Sequence, residues 1–387
     1  MSKSVSYPIE PTIIKYARIT SGLSIDEVSK SLKIDIKKLE EYESEKCEIS
    51  LPRIYRLAEK YKRPLAYFLL PKIPVEVVLP KDFRIVYTAK DKKDFSPKFY
   101  LAVRRARYVQ SVLKELWQGE INYIFPKCNL NSNIEKLGAW FREQIDFSFD
   151  EQLKMKNSQS ALKEWKNALE KLNIFILQTN LADDKVSAFC LADEKPYVVM
   201  LNSADHEHRR IFSLLHEVGH LLLRKSGVCN PEELENNSKE YIIIEKFCNQ
   251  FAASVILPKE RLLNDISVQS LLKNNCDLWS EEDILGISKR FRVSEEMLLR
   301  RFLSLGYLDE KYYKLWRQDY LERTNDFEKP KKKNVPIPVH ILSISRNGKA
   351  LTSFILEKFY SRAISFSTVS EILNISPKHI VSLERGL

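Results

Sequence analysis

The chain has 387 residues, 44% hydrophobic and 29% charged, with 62 Lys and Arg against 52 Asp and Glu. That length suggests two or three domains, and the composition excludes a disordered or fibrous chain. No stretch approaches the roughly 18 uninterrupted apolar residues of a membrane span, and the opening "MSKSVSYPIEPTIIKYARIT" lacks the apolar core of a signal peptide. A cytoplasmic protein with no membrane partner is therefore expected. The net charge of +10 permits nucleic-acid contact without requiring it. The six cysteines are scattered, with no C-x-x-C pair, which favours reduced thiols over a disulfide framework.

In chain order, residues 1–70 read as a bundle of short helices. "SIDEVSKSLKIDIKKLEEYE" places Ile25, Val28, Leu32, Ile34, Leu39 and Tyr42 at the spacing of a helix, a tight turn and a second helix. "LPRIYRLAEKYKRPLAYFLLP" follows as another amphipathic helix, stopped by Pro71. Residues 71–130 form a connector marked by Pro71, Pro74 and Pro80, with a basic helix over 98–118. Arg84, Lys90, Lys92, Lys93, Lys98, Arg104, Arg105, Arg107 and Lys114 concentrate the positive charge there.

Residues 131–325 begin with helices at 133–144 and 159–172. "NIFILQT", "VSAFCLAD" and "PYVVMLN" are rich in β-branched and aromatic residues with turn residues between them, and read as the strands of a small sheet. The last of these is expected at a sheet edge, able to receive a peptide by β-addition. A long helix starts after Ser203 or Asp205, both good caps, and ends near Gly227. A second runs from Ser238 to about Leu257 and stops at Pro258. Helical segments fill 259–323. The Lys- and Pro-rich stretch 326–338 is a linker, and 339–387 form a C-terminal helical module. The fold class is thus mainly α, with a small sheet (α+β).

A weak repeat runs through the chain. Ser24, Val28, Ser29, Leu32, Ile34 and Lys37 align without gaps on Ser365, Val369, Ser370, Leu373, Ile375 and Lys378, and Glu43 falls on Glu384. A looser copy spans 284–302. Any compact pair of amphipathic helices shares some of this pattern.

The first long helix contains "FSLLHEVGHLLL". Residues four apart lie on one helix face, so His216 and His220 can present imidazole nitrogens to one point. Glu217 lies about 100° round from His216, bordering that point. This is the geometry of two zinc ligands and a neighbouring base. A catalytic zinc needs a third protein ligand and an open position. The second long helix, "EKFCNQFAASVILP", supplies Glu245, which needs a partner among its apolar neighbours Ile242, Ile243, Ile244, Phe247, Phe251, Ala252 and Val255. Asn249, four residues on, can hold the second nitrogen of a histidine. Gly219 leaves room for the close approach of another backbone. His206, His208, Arg209, Arg210 and Tyr241 are candidates for stabilising a transition state, although each residue type is more often a surface or capping group. His206 and His208 are expected to be exposed.

"RRIFSLLHEVGHLLL" followed by "EKFCNQFAASVILP" resembles the ImmA/IrrE family of zinc metallopeptidases. "FLLPKIPVEVVLPKDFR" and the N-terminal segment resemble the subgroup fused to an XRE-like helix-turn-helix domain. The resemblance implies a zincin-like core of the gluzincin kind, with His216, His220 and Glu245 as zinc ligands and Glu217 as general base. It also implies a zinc endopeptidase that cleaves a repressor-type regulator. The N-terminal segment departs from the XRE pattern at Ser29, Lys33 and Glu45. Its second helix, roughly 35–45, carries Asp35, Glu40, Glu41, Glu43 and Glu45 against Lys37 and Lys38, a poor surface for DNA phosphates. DNA binding and protein docking both stay open. The alternative function is a DNA-binding regulator or antitoxin-type protein that holds a toxin or repressor, with the zinc structural or weakly active. Glu217 separates the two readings, because a structural zinc has no use for a base beside its ligands.

Overall fold

The computed structural model describes residues 6–45, 47–74, 95–118, 125–126, 128–182, 186–225, 238–274, 279–326 and 337–387. The chain divides into two compact units, one of residues 1–108 with 180–185, the other of 109–179 with 186–387. Much of the expected connector, the stretch around Gly227 and most of the expected linker lie outside the described residues.

In the first unit, β1 (Ser6–Ile9) and β2 (Cys47–Ser50) pair antiparallel. Three helices lie between them in sequence: α1 (Pro11–Ile19), α2 (Ile25–Leu32) and α3 (Ile36–Ser44). Ser24 and Glu27 close a capping box on α2, and the Asp35 side chain caps α3 at Lys37 N, satisfying N–H groups that the helix cannot. Lys33 makes the turn with φ of 52°. The Arg18 guanidinium forks onto Glu43, Nε to Oε1 at 2.6 Å and Nη2 to Oε2 at 2.8 Å, tying α1 to α3. Leu51–Tyr61 form α4, followed by a 3₁₀ turn over Leu65–Leu69. Ile13, Ile14, Val28, Leu39, Tyr42, Leu57, Tyr61 and Phe68 fill the core. The pairs of helices fall where the apolar spacing puts them. The two four-residue strands had no legible alternation.

Helix α5 (Pro97–Leu116) crosses the division between the units at residue 108. The second unit continues with α6 (Ile134–Gln144), α7 (Phe149–Leu153) and α8 (Ser158–Glu170). Its sheet has β3 (Phe175–Thr179), β4 (Ala188–Leu191) and β5 (Val198–Asn202) in the order β3-β5-β4. β3 runs parallel to β5, and β4 antiparallel to it. The expected edge strand, β5, is therefore the central one. All five of its residues are buried, as an uninterrupted apolar run requires when both neighbours and both faces are covered.

Helix α9 (Glu207–Lys225) packs on α8, β4 and β5. It starts later than Ser203 or Asp205. Asn202 holds residues 203–205 in a turn, its Oδ1 accepting from Ala204 N at 3.1 Å, so the strand exit consumes the residues read as caps. Helix α10 (Ser238–Ile256) lies along α9 and against α6. Phe141 and Phe251 meet edge to face at 5.4 Å there. Helices α11 (Lys259–Leu263), α12 (Ile266–Leu272), α13 (Glu281–Phe291), α14 (Glu295–Leu305) and α15 (Glu310–Asp326) follow. No described helix is long and apolar enough to cross a membrane.

The C-terminal residues form α16 (Val339–Asn347), α17 (Lys349–Tyr360) and α18 (Phe366–Leu373) and belong to this second unit. Helix α16 packs on β3, and α17 on α8. Phe354 stacks on Trp117 at 5.3 Å. Glu170 Oε2 accepts from Lys349 N at 3.0 Å and Ala350 N at 2.9 Å, and the Lys166 ammonium donates to Ser345 O at 2.9 Å. A Cβ on Gly348 would crowd Glu170 Oε1 and sit 2.8 Å from the backbone oxygen of Ile176, and the residue's φ of +78° is left-handed, so the position favours glycine. The repeat is visible in part. Ser29 and Ser370 each donate through Oγ to the carbonyl five residues on, Ile34 and Ile375, and Asn374 matches Lys33 in left-handed backbone. Beyond Ile375, however, the chain forms 3₁₀ turns over 377–379 and 381–386 where the first copy has α3. The looser copy turns at Arg292 in the same way, but so does Lys62, outside any copy. This ending is a common helix stop.

Candidate metal centre

Helix α9 presents an apolar face, with Leu214, Leu215, Val218, Leu221 and Leu222 fully buried. His216 and His220 project one turn apart on a neighbouring stripe, at 15% and 21% side-chain exposure. Helix α10 buries Ile244, Phe247, Cys248, Phe251 and Ala252 and brings Glu245 to the same point. Ile243, read as one of the apolar neighbours, is half exposed at 50%.

The two helices approach closely at Gly219. A Cβ there would meet Cys248 Cα at 3.0 Å and its Sγ at 3.1 Å. The close approach read from Gly219 is thus present, and Cys248 is the residue opposite.

His216 Nε2 lies 3.3 Å from Glu245 Oε2, and His220 Nε2 lies 3.3 Å from Glu245 Oε1. The two Nε2 atoms are 3.1 Å apart. All three ligand atoms fall within 4.8 Å of one another. His216 Nδ1 pairs with Asn249 Oδ1 at 3.0 Å. Two imidazole nitrogens and one carboxylate fit a catalytic zinc, which takes three protein ligands and leaves one position for water or substrate. Asn249 fits the outer partner that fixes a ligand's tautomer and orientation.

The electrostatics agree with a cation site. Burial pushes the Glu245 carboxyl up, but hydrogen bonds from His216 and His220 outweigh it and hold the group well below the usual carboxylate range. Burial lowers His220, yet Cys248, Glu245 and Glu217 together raise it well above an ordinary imidazole. Positive charge is favoured where the nitrogens converge.

Glu217 is buried, at 9% exposure, on the turn between the two histidines. Its charge acts on both His220 and Cys248. It sits beside the ligands without joining the three-residue group.

The other candidates have different roles. Arg210 donates to Gln178 Oε1 at 3.1 Å and to Glu207 at 2.9 Å, which ties the start of α9 to β3. Arg209 donates to Ser187 Oγ at 2.8 Å. His206 is exposed, as expected, and precedes the helix. His208 is half-buried rather than exposed, and burial pushes its imidazole down. Neither joins the ligand group. The Tyr241 side chain lies outside the described residues.

Sequence reasoning missed three residues that shape the centre. Cys248 was read only as one of six scattered thiols, although Glu245, Cys248 and Asn249 share a face at helical spacing. The other two are buried arginines. Arg142 donates to Val255 O at 2.6 Å, and Arg301 to Leu257 O at 2.8 Å. They occupy the carbonyls at the end of α10 that have no helical partner, and so anchor the helix that carries Glu245. Nothing in the local sequence marks a surface arginine from a buried one.

The family model of the IrrE N-terminal-like domain, a peptidase M78 family, matches residues 169–303. A search of curated proteins returns no match. The matched segment runs from the end of α8 into α14 and contains the sheet, both metal-centre helices and Arg301. Residues 169–303 are thus similar to a metallopeptidase-like domain.

Proposed function

We propose that the chain is a zinc-dependent endopeptidase of the ImmA/IrrE kind whose substrate is a partner protein, a repressor-type regulator. The carrying observation is the convergence of His216 Nε2, His220 Nε2 and a Glu245 oxygen within 4.8 Å, with Glu217 buried on the same helix.

Zinc held by these three residues would lower the pKa of a bound water towards about 7 and polarise a substrate carbonyl. Glu217 would take the proton from that water and deliver it to the leaving amine. Asn249 keeps His216 with its Nδ1–H outward and Nε2 inward. A peptide laid on the sheet would pair with an outer strand, β3 or β4, since β5 has strands on both sides.

The N-terminal unit is proposed as a helix-turn-helix domain that docks protein rather than reads DNA. The exposed face of α3 offers Glu40, Glu41 and Glu45, and its Lys38 is already paired with Glu41. A duplex would meet net negative charge there. In the competing regulator or antitoxin reading the zinc would be structural, and the buried Glu217 weighs against it.

The first test is zinc per chain by elemental analysis in the wild type, His216→Ala and Glu245→Ala. One zinc in the wild type, lost or sharply reduced in both variants, supports the ligand set. No zinc in wild-type protein after zinc is added back would sink the peptidase reading.

A further inference from the structure

Gln178 is buried on β3, and both ends of its amide are used. Its Oε1 accepts from Arg210 Nη1 at 3.1 Å, and its Nε2 donates to Ser345 Oγ at 2.6 Å. Arg210 stands in the first turn of α9, where its Nη2 also donates to Glu207 Oε1 at 2.9 Å. Ser345 stands near the end of α16, in the C-terminal module. One amide on the sheet therefore joins that module to the helix that carries His216, Glu217 and His220.

The module is seated here by contacts of its own. The Lys166 ammonium, buried on α8, donates to Ser345 O at 2.9 Å, so Ser345 is bonded through both its oxygens. Glu170 Oε2 accepts from the first two amides of α17. Gly348, between α16 and α17, lies so near β3 that a Cβ would sit 2.8 Å from Ile176 O.

We propose that the C-terminal module is a clamp on α9, with Gln178 as the positioning residue that passes its docking on to Arg210. With the module seated, Ser345 Oγ fixes the rotation of the amide, and Oε1 faces the guanidinium. With the module lifted, Nε2 is a buried donor without an acceptor, which is costly. The amide then turns to find another partner, and Arg210 loses its fixed acceptor. The start of α9 loosens, six residues before His216. The clamp is a property of the metal-free chain; its effect on zinc rests on the zinc reading above.

The test is backbone hydrogen exchange on the full-length, metal-free protein. The probes are the amides of residues 210–214, the first in α9 with acceptors in the preceding turn; Arg210 N bonds to His206 O at 3.0 Å. Ser345→Ala removes the acceptor of Gln178 Nε2, and because Ser345 is otherwise exposed it opens no cavity. Exchange at 210–214 should quicken about 2–10-fold, the net worth of one hydrogen bond, while the amides of α10 keep the wild-type rate. Ser345→Thr keeps the hydroxyl and should keep the wild-type rate at 210–214. Gln178→Leu breaks the bond to the guanidinium as well and should quicken exchange there about 10–100-fold. Chelator competition should show weaker zinc binding in Ser345→Ala, by a factor that zinc returns as slower exchange across α16 in the wild type, because coupling between sites is reciprocal. Wild-type exchange at 210–214 in both Ser345→Ala and Gln178→Leu overturns the clamp. So does a quickening that reaches α10 equally, since that means general loosening. A wild-type chain that binds no zinc overturns the zinc reading, and the metal-free exchange still decides the clamp.

Discussion

Asn249 Oδ1 and His216 Nδ1 stand 3.0 Å apart, joining α10 to α9 at the metal centre. The amide oxygen fixes which nitrogen of His216 carries the proton. Asn249→Ala is expected to lower zinc affinity about 10–100-fold while the metal-free fold keeps its melting temperature. Chelator competition and a thermal melt check the two halves. Unchanged affinity would mean that the ring is held by packing.

Glu217 is expected to act on the proton rather than on the metal. Glu217→Gln preserves shape and should keep one zinc per chain. Cleavage of the partner protein should fall by about 10²–10⁴-fold, the usual worth of a positioned acid–base group. Cleavage by Glu217→Gln at the wild-type rate would remove Glu217 from the mechanism.

Gly219 sets the spacing of α9 and α10. A methyl there meets Cys248 Cα at 3.0 Å and Cβ at 3.1 Å, and backbone gives way poorly. Gly219→Ala gains about 1 kcal/mol of helix propensity against about 1–3 kcal/mol of overpacking. The melting temperature should therefore change little or fall slightly. Zinc affinity should fall much more, because the cost lands on the separation between His220 and Glu245. A chelator titration of the variant reads this directly.

Metal removal should lower stability without unfolding the chain. Zinc at about 100 times its dissociation constant adds roughly 2.7 kcal/mol to the native state. That corresponds to roughly 5–10 °C for a unit of this size. Calorimetry before and after chelation measures it, and His216→Ala should show no difference between the two scans.

Lys166 supplies a pH signature at the junction of α8 with α16. Burial pushes its ammonium down from 10.5 to about 8, against the pull of Glu170. In the unfolded chain it keeps its proton to about 10.4. Between these values the unfolded state binds more protons than the native state, so stability rises with pH. Below pH 8 the cost of the buried charge is fully present. A rise on the order of 2–3 kcal/mol between pH 8 and 10.5 is expected, and Lys166→Met should flatten it. Denaturant melts across that range decide the point.

The convergence of His216, His220 and Glu245 was the most legible part of the chain. His216, Glu217 and His220 follow from one helix period, and Glu245 and Asn249 from a polar pair in an apolar run. The α2–α3 pair and the three sheet segments were legible for the same reason, a clear period. Strand order was not, because register across a sheet depends on non-local pairing; β5 was taken for an edge and is central. The start of α9 was misplaced because Asn202 turns the chain before the helix begins. The interior position of Arg142 and Arg301 depends on where α10 ends in space, which no local pattern encodes.

The centre is divided between two rods. His216, Glu217 and His220 ride on α9; Glu245, Cys248 and Asn249 ride on α10, whose far end is clamped by Arg142 and Arg301. A displacement of α10 would withdraw Glu245 and the Asn249 acceptor of His216 together. In the zinc reading, metal retention would then be a gauge of how tightly the two helices are closed, and anything that pries them apart, a bulky side chain or a docked protein, would empty and disarm the centre in one step.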